Sequence, residues 1–294
     1  MADPAKRLKT NVPGDFFVDS TCIDCDACRW IAPSVFDRMK GKSRVFAQPA
    51  DPSTERAALR ALLACPTSSI GAGERQDASA VAKDFPIAIE GGVAWCGYHA
   101  ASSFGATAYF IRRPPERGGN VLVDSPRFAG PLVERLEALG GVATMFITHV
   151  DDEADHARFA ERFGCRRVMH AADVEGIEGL ETLLEGEAPI RLDDELLAVP
   201  TPGHTRGSTC LLYKDRYLFT GDHLAWSDTR AQLYAFRDAC WFDWETQIAS
   251  MRKLTALTFA WVLPGHGRRV RLPEGTSAQA LSRCIGWMRH GDVL

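Results

Sequence analysis

Three hydrophobic runs in the last third of the chain each break at a glycine turn carrying a metal-capable side chain. They are Thr201-Pro202-Gly203-His204-Thr205, Phe219-Thr220-Gly221-Asp222-His223 and Leu263-Pro264-Gly265-His266-Gly267. Glycine beside a ligand lets the backbone approach closely whatever the side chain holds. A fourth segment follows the run VATMFI and crowds two histidines and four acids into the eight residues from His149 to His156. That charge density is costly unless a cation neutralises it. A lone histidine after Pro-Gly reads as a turn residue. Several such turns and an acid-rich loop read as one site, because a metal centre needs its ligands to converge.

The runs between these turns alternate short strands with amphipathic helices. TAYFI and NVLVD read as strands, and PLVERLEAL places Leu132, Leu136 and Leu139 on one helical face before Gly140. DHARFAERFG reads as a helix ended by Gly164, and CRRVMH as a strand. STCLLY and RYLFTG form a hairpin around Lys214-Asp215-Arg216, followed by a helix near Trp244 to Leu257 and the strand FAWVLPG. This alternation predicts a mixed α/β fold.

The first 70 residues differ. Cys22-Ile23-Asp24-Cys25-Asp26-Ala27-Cys28 spaces three thiols by three, and Cys65-Pro66 supplies a fourth. Four thiolates in a three-plus-one pattern suit an iron–sulfur cluster better than zinc, whose usual knuckles are two separated C-x-x-C pairs. The other five of the nine cysteines, Cys96, Cys165, Cys210, Cys240 and Cys284, lie in apolar contexts and read as core.

Length and composition bound the rest. At 294 residues the prior is two domains, and 46% hydrophobic with 24% charged residues is globular. A formal charge of -4 gives no basic field, so nucleic acid is not an expected partner. The longest stretch without Asp, Glu, Lys or Arg, Gly91 to Ile111, carries four glycines and His99 and is no membrane span. The N-terminus lacks a signal-like apolar run, so a cytoplasmic location is expected. The expected division is 1–72 for the cysteine-rich domain, 73–86 for a linker and 87–294 for the larger domain.

The stretches CIDCDACRWIAPSVF and ACPTSSI resemble a bacterial-type, single-cluster ferredoxin. That resemblance implies one [4Fe–4S] cluster on Cys22, Cys25, Cys28 and Cys65. TPGHTRGS, FTGDHL and LPGHG together resemble the metallo-β-lactamase superfamily over roughly residues 90 to 270, in its glyoxalase II-like branch. The implied fold is an α/β, αββα sandwich preceded by a small α+β ferredoxin-like domain, with one or two divalent metals, zinc or iron. The resemblance implies that His204 binds the first metal, Asp222 bridges, and His266 binds the second with Asp155 and His156. Asp155 also takes the catalytic role.

Where the family has H-x-H-x-D-H, this chain reads H-V-D-D-E-A-D-H. In the preferred register His149 keeps its place, Asp151 replaces the second histidine, and two extra residues precede Asp155-His156. In the other, Asp151 and Glu153 replace both histidines, as in the flavodiiron branch, and His149 is displaced. The expected activity is hydrolysis of a small ester, thioester or lactone by a metal-bound hydroxide. The attached domain would serve electron transfer, with a partner protein, or redox sensing. A ferredoxin-fused non-haem di-iron oxidoreductase and a non-enzymatic Fe–S sensor or adaptor are the alternatives. Only 28 residues follow His266, which argues against an orthodox glyoxalase II with its further helical domain. Tyr98 and His99 read as a solvated loop, with a place at the metal mouth as the alternative, and Trp241, Phe242 and Trp244 as core, with an aromatic pocket wall as the alternative.

Overall fold

The computed structural model describes residues 2–73 and 77–291, so residues 74–76 of the expected linker lie outside the described residues. The backbone divides into two compact units, Met1–Ala143 and Thr144–Leu294.

The first unit opens with β1 (Phe17–Val18), α1 (Ala27–Ile31), the hairpin β2 (Phe36–Met39) and β3 (Lys42–Val45), α2 (Pro52–Ala64) and β4 (Ile70–Gly71). β1 pairs antiparallel with β4, which brings the Cys22–Cys28 run and Cys65 to the same end of this small fold. α2 starts where it does because Asp51 accepts hydrogen bonds from the Ser53 and Thr54 amides and Pro52 presets the first turn. Such a cap contributes about 1 kcal/mol. The buried core here is Phe16, Val18, Val35, Phe36, Val45 and Leu59 with their neighbours.

The expected linker is partly built into this unit. Ser79–Ala82 forms α3, Val81 joins the same core, and Asp84 pairs with Arg56 and Arg60 of α2. Four strands then form an antiparallel meander: β5 (Ile87–Glu90), β6 (Val93–Trp95), β7 (Tyr109–Ile111) and β8 (Val121–Val123). Helix α4 (Gly130–Ala138) follows, burying Leu132, Val133 and Leu136 at helical spacing.

The second unit begins with β9 (Thr144–Phe146), α5 (His156–Phe163), β10 (Arg166–His170) and β11 (Thr182–Leu184), in which β10 pairs parallel with both β9 and β11. Gly164 ends α5 in the left-handed conformation expected of a helix C-terminus. A six-stranded sheet is then built from β12 (Ile190–Arg191), β13 (Leu196–Pro200), β14 (Thr209–Tyr213), β15 (Tyr217–Gly221), β18 (Trp261–Pro264) and β19 (Val270–Arg271), in that order. Between β15 and β18 in sequence lie the hairpin β16 (Ala225–Ser227) and β17 (Gln232–Tyr234) and helix α6 (Trp244–Leu254). The chain closes with α7 (Ser277–His290), a helix to which no sequence expectation was attached. β14 and β15 form the expected hairpin, with Lys214 and Asp215 both at positive φ as a tight turn demands.

Leu212, Leu218 and Val262 of the sheet pack with Ile248, Met251 and Leu254 of α6 and Leu281, Cys284 and Met288 of α7 in one core. Cys96, Cys165, Cys210 and Cys284 are buried as expected, whereas Cys240 is only half-buried. None of the described helices is long and apolar enough to cross a membrane.

Candidate metal centre

Each turn singled out in the sequence lies just past the end of a strand. β13 ends at Pro200 ahead of His204, β15 at Gly221 ahead of Asp222, and β18 at Pro264 ahead of His266. β9 ends three residues before His149. The glycines are there for space. A Cβ on Gly221 would collide with Thr148 and lie 3.1 Å from His149 Nδ1, and one on Gly265 would lie 2.8 Å from Asp152 Oδ2 and 3.0 Å from Asp222 Oδ1.

One atom each from His149, His204 and Asp222 converges within 4.8 Å, and all three residues are buried. Nε2 of His149 and Nε2 of His204 each stand 3.8 Å from Asp222 Oδ2, and Asp151 Oδ2 is 3.3 Å from His204 Nε2 and 3.8 Å from His149 Nε2. Two donors about 2.1 Å from one metal at a tetrahedral angle stand about 3.4 Å apart. His149 Nε2 is buried and makes no hydrogen bond. Spacing, donor chemistry and this unpaired nitrogen all fit a divalent cation.

Burial first, with His204 adding to it, pushes His149 down to about 4, because Asp222 and Asp151 only partly offset the loss of solvation. Its neutral imidazole is the form that binds metal. Burial pulls Asp222 the other way, but His266, His149 and His204 outweigh it and hold the carboxyl below its ordinary range. Asp151 is likewise held low, first by its hydrogen bond to His204. His266 Nδ1 is 2.8 Å from Asp222, and the His266 amide donates to the same carboxylate at 3.1 Å.

His149, Asp151, His204, Asp222 and His266 are thus brought together. Asp155 and His156 have other partners instead. Asp155 precedes α5 and pairs with Arg158 at 3.7 Å. His156 Nδ1 faces Arg167 Nη1 at 3.2 Å, and burial followed by that guanidinium lowers its pKa. The physical reason is the 3-10 turn Val150–Asp152, which pulls Asp152 inward. Asp152 is fully buried, with Oδ2 3.8 Å from His149 Nδ1. Glu153 lies beside His156, 3.8 Å away.

Two further residues bear on the site. Buried Asp173 accepts from Thr205 Oγ1 at 2.5 Å, from the Gly207 amide at 2.6 Å and from the Val150 amide at 3.3 Å. It therefore ties the His204 loop to the His149 loop. Trp241, read as core, is 65% exposed. Its indole N–H donates to Asp151 Oδ2 at 3.1 Å, and the Trp241 and Phe242 amides both donate to the His204 carbonyl. Tyr98 and His99, read as solvated, are buried in the first unit.

The four-cysteine set also comes together. Cys22, Cys25, Cys28 and Cys65 line one recess with Val18, Ile23 and Ile70. The Ser69 amide points at Cys65 Sγ at 3.3 Å and the Asp24 amide at Cys22 Sγ at 3.5 Å. Burial pushes Cys25 up to about 12 and Cys28 higher still. Thiols this costly to ionise in a dry recess fit a cationic iron core that takes them as thiolates, steadied by N–H donors to sulfur.

Residues 18–72 match the 4Fe-4S single cluster domain of Ferredoxin I. The chain is also similar to the hydroxyacylglutathione hydrolase of Rhizobium etli, at 31% identity over 115 residues covering 37% of this chain and 44% of the relative. It is 34% identical to that of Acidiphilium cryptum over 111 residues, covering 36% and 45%. The chain thus spans less than half the length of these curated relatives. Among solved structures, BLEG-1 B3 metallo-beta-lactamase superposes with a TM-score of 0.51 at 19% identity, covering 68% of this chain and 98% of its own. This chain has the metallo-β-lactamase fold. A metallo-beta-lactamase superfamily protein from Sulfolobus tokodaii agrees, with a TM-score of 0.50 at 16% identity and 70% and 89% coverage. An iron–sulfur domain preceding a metallo-β-lactamase fold is the architecture expected from the two sets of motifs.

Proposed function

We propose that the chain is a metal-dependent hydrolase of a small ester, thioester or lactone. The observation that carries this reading is the buried convergence of His149, His204 and Asp222 at the strand ends. The similarity to hydroxyacylglutathione hydrolases favours a thioester. A divalent metal in this cluster would lower the pKa of water towards neutrality and polarise a carbonyl oxygen.

The chain's own groups would do the rest. His149, Asp151, His204 and Asp222 would hold the cation, and Asp152 and His266 would offer donors for a second one. Asp152 here replaces the expected Asp155. Trp241 orients Asp151 through its indole N–H while its exposed ring borders the site, where an acyl group can rest. Water adds to the carbonyl carbon, the C–S or C–O bond breaks, and the leaving sulfur or oxygen takes up a proton.

Wild-type protein loaded with zinc or iron(II) should cleave an activated thioester, and His204→Ala should lose essentially all turnover. Equal turnover in both proteins would remove the reading. The three carboxylates, Asp151, Asp152 and Asp222, favour a second reading, since carboxylate-rich sites suit iron. In that case the iron–sulfur domain passes electrons to a non-haem iron centre. Activity appearing only with an electron donor would select it. We read the cluster as a [4Fe–4S] centre on Cys22, Cys25, Cys28 and Cys65.

A further inference from the structure

The segment between β6 and β7 runs from Cys96 to Ala108 and packs against the cysteine recess within the first unit. The His99 amide donates to the carbonyl of Ala64, the residue before Cys65, at 3.2 Å. Arg127 donates its amide to the Tyr98 carbonyl at 2.8 Å and its Nη2 to the Leu63 carbonyl at 3.1 Å. The fully buried His99 ring stacks on Trp30, two residues beyond Cys28, with ring centres 6.1 Å apart, and Trp30 meets Trp95 edge-on at 4.9 Å.

The far end of the segment is tighter still. Gly105 has a φ of +88°, and a Cβ there would lie 2.8 Å from Cys25 Cβ, 2.9 Å from Cys25 Sγ and 3.2 Å from Pro66. No other side chain fits without moving the cysteine or the strap. His99 Nδ1 donates to the Gly105 carbonyl at 2.7 Å and fixes the strap in this position.

We propose that the strap Cys96–Ala108 is a wall of the iron–sulfur site, in which Gly105 and His99 are positioning residues that limit water at Cys25 and thereby set the cluster's reduction potential and air stability. The inference rests on the four-cysteine reading of the cluster site. Reduction adds one electron and one negative charge to a centre already ligated by thiolates. Solvent stabilises the more highly charged state, so admitting water favours reduction and raises the potential. The same opening exposes the cluster to oxygen.

The test compares full-length wild type with Gly105→Ala, His99→Phe and Gly176→Ala, all purified anaerobically. Gly176 has a closely similar φ of +85° but open space around it, so it controls for backbone strain. Phenylalanine at 99 keeps the aromatic stack and loses the hydrogen bond to Gly105. Iron and sulfide content of wild type tests the cluster reading on its own, and a chain that acquires neither removes the proposal with it. In the loaded protein, Gly105→Ala should raise the potential measured by spectroelectrochemistry and speed aerobic bleaching several-fold, with a smaller change of the same sign in His99→Phe and none in Gly176→Ala. If Gly105→Ala fails to fold or to load, His99→Phe decides. An unchanged potential and bleaching rate in His99→Phe, or an equal shift in Gly176→Ala, would overturn the proposal.

Discussion

Asp173 joins the two loops that carry the converging donors His149 and His204. Its carboxylate holds Thr205 and Gly207 on one side and Val150 on the other. Partners that orient metal-binding loops typically cost 10- to 100-fold in metal affinity when removed. Asp173→Ala should therefore weaken zinc binding by about that factor, read by competition with a chromogenic chelator, while leaving the circular dichroism spectrum unchanged. At this scale His204 and His266 were legible because each follows a strand through a Pro-Gly turn, and His149 because it opens the acid-rich loop after a strand. Asp152 was not. Whether Asp151, Asp152 or Asp155 turns inward depends on a 3-10 turn of three residues, and the acid-rich spacing is compatible with more than one register. Asp173 gave no signal at all, since its partners lie 23 to 34 residues away.

Elements deliver cysteines as they deliver the metal-site residues. Cys28 sits inside α1, and Cys65 is the C-cap of α2, its amide bonded to the Ala61 carbonyl. Both therefore inherit the rigidity of a helix end. Cys65→Ser should lose most of the cluster's visible absorption, whereas Cys284→Ser, in the α7 core, should retain it. Equal absorption in the two variants would contradict the ligand assignment. The strands β7, β8, β9, β10, β14, β15 and β18 and the helices α4, α5 and α6 were legible from hydrophobic periodicity, to within a few residues. The burial of Tyr98 and His99 was not, because it comes from packing against α2 and Trp30, which no local pattern encodes. The linker expectation suffered likewise: its polar composition conceals Val81 and Phe85, both buried.

Over the whole molecule, the buried histidines make acid stability a readout of the site. His223 is fully buried, makes no side-chain hydrogen bond, and is pushed down to about 3 by burial, followed by nearby His204. An unfolded histidine binds its proton near pH 6.5, so between about pH 6.5 and 3 the unfolded chain holds a proton that the folded chain refuses. Stability from this residue is complete above that window and falls as pH drops through it, by about 1.4 kcal/mol per pH unit at most. His149 adds the same slope down to about pH 4 in the metal-free protein. Urea midpoints of metal-free His223→Leu should fall less between pH 7 and pH 5 than those of wild type.

On the reading proposed here, one divalent metal is held by His149, His204 and Asp222, with Asp151 beside them. Anomalous diffraction at the zinc and iron edges, from crystals of anaerobically purified protein, tests it most directly. A metal peak should appear bonded to His149 Nε2, His204 Nε2 and an Asp222 oxygen, with any second peak between Asp222, His266 and Asp152. A metal held by Asp155, His156 or Glu153, with His149 turned away from it, would contradict the account.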